Sequence, residues 1–228
     1  MAGEAFPGAR VSHPLSRAKV FAVLAGAYAV FLVSYLAVDA WSVGRTARTL
    51  FIPGEERLPF VPDTEFVYAL AYLLPVLVAW KLTDALRLRR LLVALALTLA
   101  VAYATFLLCP VRFDRPVVEV HSLATWLVAL EYRLDAPYNL FPSLHVAISW
   151  LLWLACRDVV RRRAILLAVV IGISISTVFV KQHYVVDVLA GAALAVAAWL
   201  VAGRWLAARR DPFSGAAGDA QPLRGGPG

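Results

Sequence analysis

AILLAVVIGISISTVFVKQHYVVDVLAGAALAVAAWLVAG, residues 164–203, decides the fold. Two apolar runs, 164–180 and 184–203, are joined by the polar stretch VKQHYVVD, residues 180–187. A helix needs about 17–25 residues to cross the hydrocarbon core of a bilayer, and both runs reach that length. The pattern predicts two membrane helices in a hairpin, with Lys181, His183 and Asp187 held at one membrane face.

The rest of the chain repeats the pattern. Further apolar runs lie at about 20–40, 66–80, 91–109 and 141–156. Hydrophobic residues make up 61% of the 228 and mean hydropathy is +0.74, whereas soluble domains sit near 45–50% apolar. The expectation is an all-α, polytopic membrane bundle of about six transmembrane helices. Residues 1–210 form one integral membrane catalytic domain, and 211–228 a disordered cytoplasmic tail. The run at 66–80 is short and carries Pro75, so it is expected to extend past Lys81. The run at 141–156 is expected to borrow Tyr138 to Leu140, or to let Arg157 snorkel. The first run is too long for a signal-peptide core and reads as a retained helix.

Charge placement orients the bundle. With the N-terminus inside, fifteen of the 22 Lys and Arg residues fall on cytoplasmic segments, as the positive-inside rule requires. The net charge of +7 carries no basic-aromatic module, which excludes a nucleic-acid partner. Cys109 and Cys156 have no zinc-like spacing and are expected on opposite membrane faces. Residues 117–134 repeat Val120, Leu123, Leu127, Leu130 and Leu134 at helical spacing, while Glu119, His121, Glu131 and Arg133 make a span costly. They read as an interfacial amphipathic helix.

This orientation gathers three polar clusters on the outer face: CPVRFDRP (109–116), PSLH (142–145) and VKQHYVVD (180–187). His183 and Asp187 stand at i and i+4, on one helical face. The carboxylate can fix the imidazole tautomer and leave the other nitrogen to attack. Taken alone, the pair is equally a structural tie at a helix end. Pro142 suits a first helical turn, and the amides of Ser143 and Leu144 with the Ser143 hydroxyl then form an anion cup. A plain helix cap has the same sequence. Arg112 and Arg115 are fork-shaped phosphate donors, and Lys181 adds a third cation; alone, each also suits lipid headgroups. Together, two histidines, a buried aspartate, an anion cup and cations are the inventory for phosphoryl transfer through a phosphohistidine. No carboxylate cluster offers a Mg²⁺ site, so neither metal nor cofactor is expected.

RP, PSLH and HYVVD, in this order across about six helices, resemble the type 2 phosphatidic acid phosphatase superfamily, whose pattern is K-x6-RP, PSGH and SR-x5-H-x3-D. The resemblance implies a phosphatidic acid phosphatase/haloperoxidase-like core. It makes His183 the nucleophile, Asp187 its orienting partner and His145 the acid/base, with Arg115 and Ser143 on the phosphoryl group. Three positions depart from the pattern. Leu108 stands where the family lysine falls, Ser176 and Thr177 where Ser-Arg falls, and Leu144 replaces the glycine. Arg112 and Lys181 are the candidate substitutes for the missing cations. PSLH looks like the inositol phosphorylceramide synthase branch. The expected function is therefore a lipid phosphate phosphatase at the extracytoplasmic face of the plasma membrane, with both termini cytoplasmic. A lipid headgroup phosphotransferase is the alternative. The substrate is a phospholipid, polyprenyl phosphate or phosphosphingolipid. A proton-coupled transporter or an inactive scaffold would use the same residues without phosphoryl transfer. The largely Ala, Val, Leu and Ile midplane, with few polar residues such as Ser174, argues against a transporter.

Overall fold

The computed structural model describes residues 14–209, so the segment 211–228 lies outside the described residues. Among the described residues there are eight α-helices and no strand: α1 (Arg17–Ser42), α2 (Glu65–Tyr68), α3 (Leu70–Lys81), α4 (Ala85–Leu108), α5 (Leu123–Leu134), α6 (Leu144–Cys156), α7 (Arg163–Phe179) and α8 (Val185–Ala208). Four helical stretches are long and apolar enough to cross a membrane: Arg17–Ser42, Pro62–Lys81, Ala85–Leu108 and Val185–Ala208. Leu144–Cys156 and Arg163–Phe179 are shorter apolar helices.

Local sequence explains where the helices start. Ser16, Asp84 and Ser122 cap α1, α4 and α5 by accepting from the amides of Lys19, Arg87 and Thr125. Such caps satisfy amides that have no partner within the helix. Several boundaries differ from the sequence expectation. The second run gains its length on the N-terminal side, from Pro62, and stops at Lys81, where Leu82 leaves helical geometry. α6 borrows nothing from Tyr138 to Leu140; it begins at Leu144 after a non-helical approach. The amphipathic helix starts only at Leu123, because Ser122 caps it, and Val120 lies before the helix.

The core runs between α3, α4, α6, α7 and α8. Leu91, Ala94, Leu151, Val170, Ile173 and Trp199 are buried in one cluster. α8 turns Gly191, Ala195, Ala198 and Ala202 inward, a stripe of small residues that lets helices approach closely in a membrane. A Cβ at Gly191 would lie 2.5 Å from the Ser143 carbonyl oxygen, so α6 and α8 touch backbone to backbone there. The outer surface is apolar. α1 buries only Val20 and Ser42 and exposes Phe21, Val30 and Leu36, with Val33 70% exposed. α5 likewise turns Leu123, Trp126 and Leu134 outward and Thr125, Val128 and Glu131 inward. Such faces suit lipid, not water.

The two ends of the bundle differ. One end gathers the α3–α4 and α6–α7 turns, where Arg87 pairs with Asp158 at 3.0 Å and Arg17 lies over the Trp80 ring. The other end is covered by residues 43–64 and 109–122. There the Arg48 amide donates to Pro110 O and the Arg112 amide to Arg48 O, each at 2.9 Å. Phe51 packs edge-on against Tyr184, centroids 4.8 Å apart, and lies 5.6 Å from Phe113. The long loop thus folds over the bundle end. Phe51, still half-exposed, and Phe60 both pack against buried clusters at this end.

Candidate active site

At that covered end, α7 ends in a tight turn that sets His183. The amides of Gln182 and His183 both donate to the Thr177 carbonyl, at 2.9 and 3.1 Å. Lys181 takes a left-handed φ of 57° to make this possible. α8 then begins with Asp187 as its capping acid: Oδ2 accepts from the Tyr184 amide at 2.9 Å. The same oxygen lies 3.4 Å from His183 Nδ1, a long contact that aligns the ring more than it binds it. Asp187 Oδ1 is buried without a partner among the described residues. Glu55 reaches in from the covering loop and accepts from the Val185 amide at 2.6 Å, closing the helix end.

Opposite stands the start of α6. Ser143 caps it, its Oγ accepting from the Val146 amide at 3.3 Å. Pro142 lies before the cap, not inside the first turn. The Ser143 amide is not free: it donates to Asp187 O at 3.1 Å. The anion cup expected here therefore shifts by one residue, to the amides of Leu144 and His145, which have no partner within the helix. The Ser143–Asp187 bond and the close Gly191 contact hold α6 against α8. They bring the His145 and His183 rings to 5.8 Å between centroids.

His183 is 4% exposed. Burial drives its imidazole far below the ordinary value of 6.5, to about 3, and the nearness of His145 adds to this. Asp135 and a hydrogen bond at the Leu140 backbone push the other way, while Arg115 lowers it further. The ring is neutral at physiological pH, the state that can attack phosphorus.

Arg115 reaches this site, but with its guanidinium engaged. It donates to the Asp135 carbonyl at 2.5 Å and to the Gln182 Oε1, pairs with Asp135 Oδ2 at 3.5 Å, and lies over the Tyr132 ring. Arg115 Nε and Gln182 Nε2 are buried without partners among the described residues. The other two candidate cations are elsewhere. Arg112 pairs with Asp114 at 3.1 Å and its side chain is 46% exposed. Lys181 Nζ donates to Leu58 O at 2.7 Å, tying the turn to the covering loop. The structure thus joins His145, His183, Asp187, Ser143 and Arg115, and directs Arg112 and Lys181 away from them.

Other polar groups crowd the site from helices whose sequence gave little warning. Tyr68 OH lies 2.9 Å from His145 Nε2 and donates to Glu131 Oε1 at 3.0 Å; Tyr72 OH donates to the same oxygen at 2.8 Å. Asp135 Oδ1 accepts from Tyr35 OH at 2.5 Å. The available signals were a Tyr pair at i, i+4, and acids in apolar segments, Glu65 and Glu131.

The helical bundle thus brings two histidines face to face, one of them beside a buried aspartate, with an arginine near them. The chain matches the family model described as PAP2 superfamily over residues 59–201. That match spans more than half of the chain and all of PSLH and HYVVD, and the protein belongs to the PAP2 superfamily. No curated protein and no solved structure gives a significant match. Membership suggests phosphatase or phosphotransferase activity, and the superfamily is generally of phosphatase-type enzymes.

Proposed function

We propose that the protein is a metal-independent lipid phosphate phosphatase that works through a phosphohistidine on His183. The observation that carries this reading is the facing pair, His145 and His183, 5.8 Å apart with His183 aligned on Asp187. In the first step the free His183 nitrogen forms a bond to phosphorus. The ester P–O bond breaks, and the leaving oxygen takes its electron pair and a proton from His145. In the second, water attacks phosphorus, gives a proton to His145, and the N–P pair returns to His183. Arg115 and the amides of Leu144 and His145 stabilise the phosphoryl oxygens. Arg115 must exchange its Gln182 and Asp135 contacts for phosphate to do so.

The membrane sets the substrate class. The site lies at the end of an apolar bundle, where the phosphate of an amphiphile reaches it while the tail stays in lipid. In this reading the chain crosses the plasma membrane six times, counting the shorter α6 and α7, with both termini on the cytoplasmic side and the histidine end outside, a polarity that the positive-inside bias of the loop charges supports. Phosphatidic acid, phosphatidylglycerophosphate and polyprenyl pyrophosphate all fit. A second reading is favoured by Leu144, which is buried against Ala102 and Phe106 beside the acid/base histidine. An apolar wall that excludes water favours a lipid hydroxyl as acceptor, and the product is then a phosphodiester. A transporter is less well supported: Ser174, a polar exception in the core, spends its hydroxyl on Val170 O and on Trp150.

The test is a panel of lipid phosphates assayed with EDTA present. Free phosphate identifies the phosphatase and a new phosphodiester the transferase. Either activity must be lost in His183→Ala. Full turnover by that variant, or loss of wild-type turnover on chelation, defeats the proposal.

A further inference from the structure

Glu131 and Tyr68 lie outside every motif considered so far, yet they end on His145. Tyr68 is fully buried and Glu131 is 8% exposed. The phenol has one proton, and it donates it to Glu131 Oε1 at 3.0 Å. Its oxygen is then only an acceptor toward His145 Nε2, 2.9 Å away, so that nitrogen must carry the hydrogen. Tyr72 donates to the same Glu131 oxygen at 2.8 Å and its ring stands edge-on to Tyr68 at 6.1 Å. The carboxylate is thus fixed by two phenols, and the phenol by a carboxylate and an imidazole.

We infer that Glu131, acting through the Tyr68 hydroxyl, is the positioning carboxylate of the acid/base histidine, a Glu–Tyr–His relay built from α5, α2 and α6. The inference rests on the phosphohistidine reading of His145 and His183. The relay holds one tautomer: Nε2–H faces Tyr68, and Nδ1 is left to exchange a proton with the substrate. Protonated at Nδ1, the ring lies one hydroxyl away from a buried carboxylate. The proton that reaches the leaving oxygen comes from Nδ1, and the acceptor's proton restores it; Tyr68 keeps its own. Asp187 does the corresponding service for His183, so each histidine has its own carboxylate, one direct and one through a phenol. The charged and titratable groups around the relay are Glu65 on α2, Tyr72 on α3, Arg115 before α5, Tyr132 on α5, Asp135 after it, His183 in the α7–α8 turn and Asp187 on α8. Of these, Tyr72 alone shares the Glu131 oxygen.

The two halves of the reaction separate positioning from mere packing. Protonation of the leaving oxygen is needed for an alkyl phosphate and hardly at all for p-nitrophenyl phosphate, whose leaving group is stable as an anion. The full chain in detergent micelles is assayed with dioctanoyl phosphatidic acid at steady state, and with p-nitrophenyl phosphate for the burst of p-nitrophenol. Tyr68→Phe and Glu131→Gln keep the side-chain shapes. Each should slow lipid turnover about 100-fold, the low end of general acid catalysis, and slow the burst at least tenfold less. Tyr68→Phe should add little in a His145→Ala background, since groups that act as a unit are not additive. Equal losses on both substrates, unchanged lipid turnover, or additive losses in the double variant overturn the relay. A wild type active on lipid with an unmoved Tyr68→Phe sinks the relay alone. A wild type that turns over neither ester removes the phosphohistidine reading and the relay with it.

Discussion

His183 sits where burial and a second histidine both oppose its protonation, and this has a consequence for stability. Its folded-state value, about 3, lies below the ordinary 6.5. Protonation therefore favours the unfolded chain. The contribution is complete above pH 6.5 and is lost as pH falls toward 3. Below pH 6 the slope reaches about 1 kcal/mol per pH unit. His183→Gln removes this term, so its thermal midpoint in detergent should fall less between pH 6 and pH 4.5 than that of the wild type. Parallel pH profiles would show that the ring is not held neutral by its surroundings. In the proposed phosphohistidine mechanism, the same neutrality leaves a lone pair for phosphorus without a general base, so that His183 would need orientation rather than activation. The long 3.4 Å contact with Asp187, which also caps α8, supplies that.

At the scale of elements, the α6–α8 crossing holds the two histidines together, and Gly191 is its pivot. A methyl there would meet the Ser143 carbonyl oxygen at 2.5 Å and the Ala147 amide nitrogen at 3.4 Å. Both are backbone atoms, so neither can swing aside. Gly191→Ala should cost about 1–3 kcal/mol, the range for overpacking, and depress turnover by moving His145 away from His183. Gly26, on α1, has nothing within 4 Å of an added Cβ. Gly26→Ala should leave activity unchanged and stabilise by up to about 1 kcal/mol through helix propensity. Thermal midpoints and turnover of the two variants check this contrast. The crossing also shows what one sequence can reveal. His183 and Asp187 were readable because four residues on a helix fix their relation. The PSLH and HYVVD motifs share a membrane face because the apolar runs set depth. Tyr68, Glu131 and His145 belong to three helices, 63 and 77 residues apart, and helical periodicity says nothing of which faces meet. Arg112 and Lys181 misled for the same reason: charge and depth placed them correctly, while Asp114 and Leu58 decided where they point.

For the whole molecule, the two ends of the bundle differ in charge, and that difference predicts its orientation in the membrane. At the end away from the histidines, Arg17, Arg157 and Arg209 lie over Trp80, Trp153 and Trp205, and Arg87 pairs with Asp158. Arginine over tryptophan at helix ends is the arrangement of an interfacial belt, and by the positive-inside rule its positive sign predicts that this end faces the cytoplasm. The histidine end carries fewer cations, and of these Arg115 is turned inward on Asp135 and Gln182. Orientation can be read directly by labelling. In a background with Cys109→Ser and Cys156→Ala, Val117→Cys places a thiol at a position 95% exposed on the histidine side. Val159→Cys places one, 42% exposed, in the α6–α7 turn at the opposite end. A membrane-impermeant maleimide should label the first in intact cells and the second only after permeabilisation. The reverse result would put the histidines at the cytoplasmic leaflet. The substrate would then be a phosphate made and released inside the cell, and the arginine belt would have to lie against the positive-inside bias. Labelling of both sites in intact cells would break the alternation of helices on which the bundle depends. Under the proposed lipid phosphatase activity, the expected pattern would make the outer leaflet the source of the substrate.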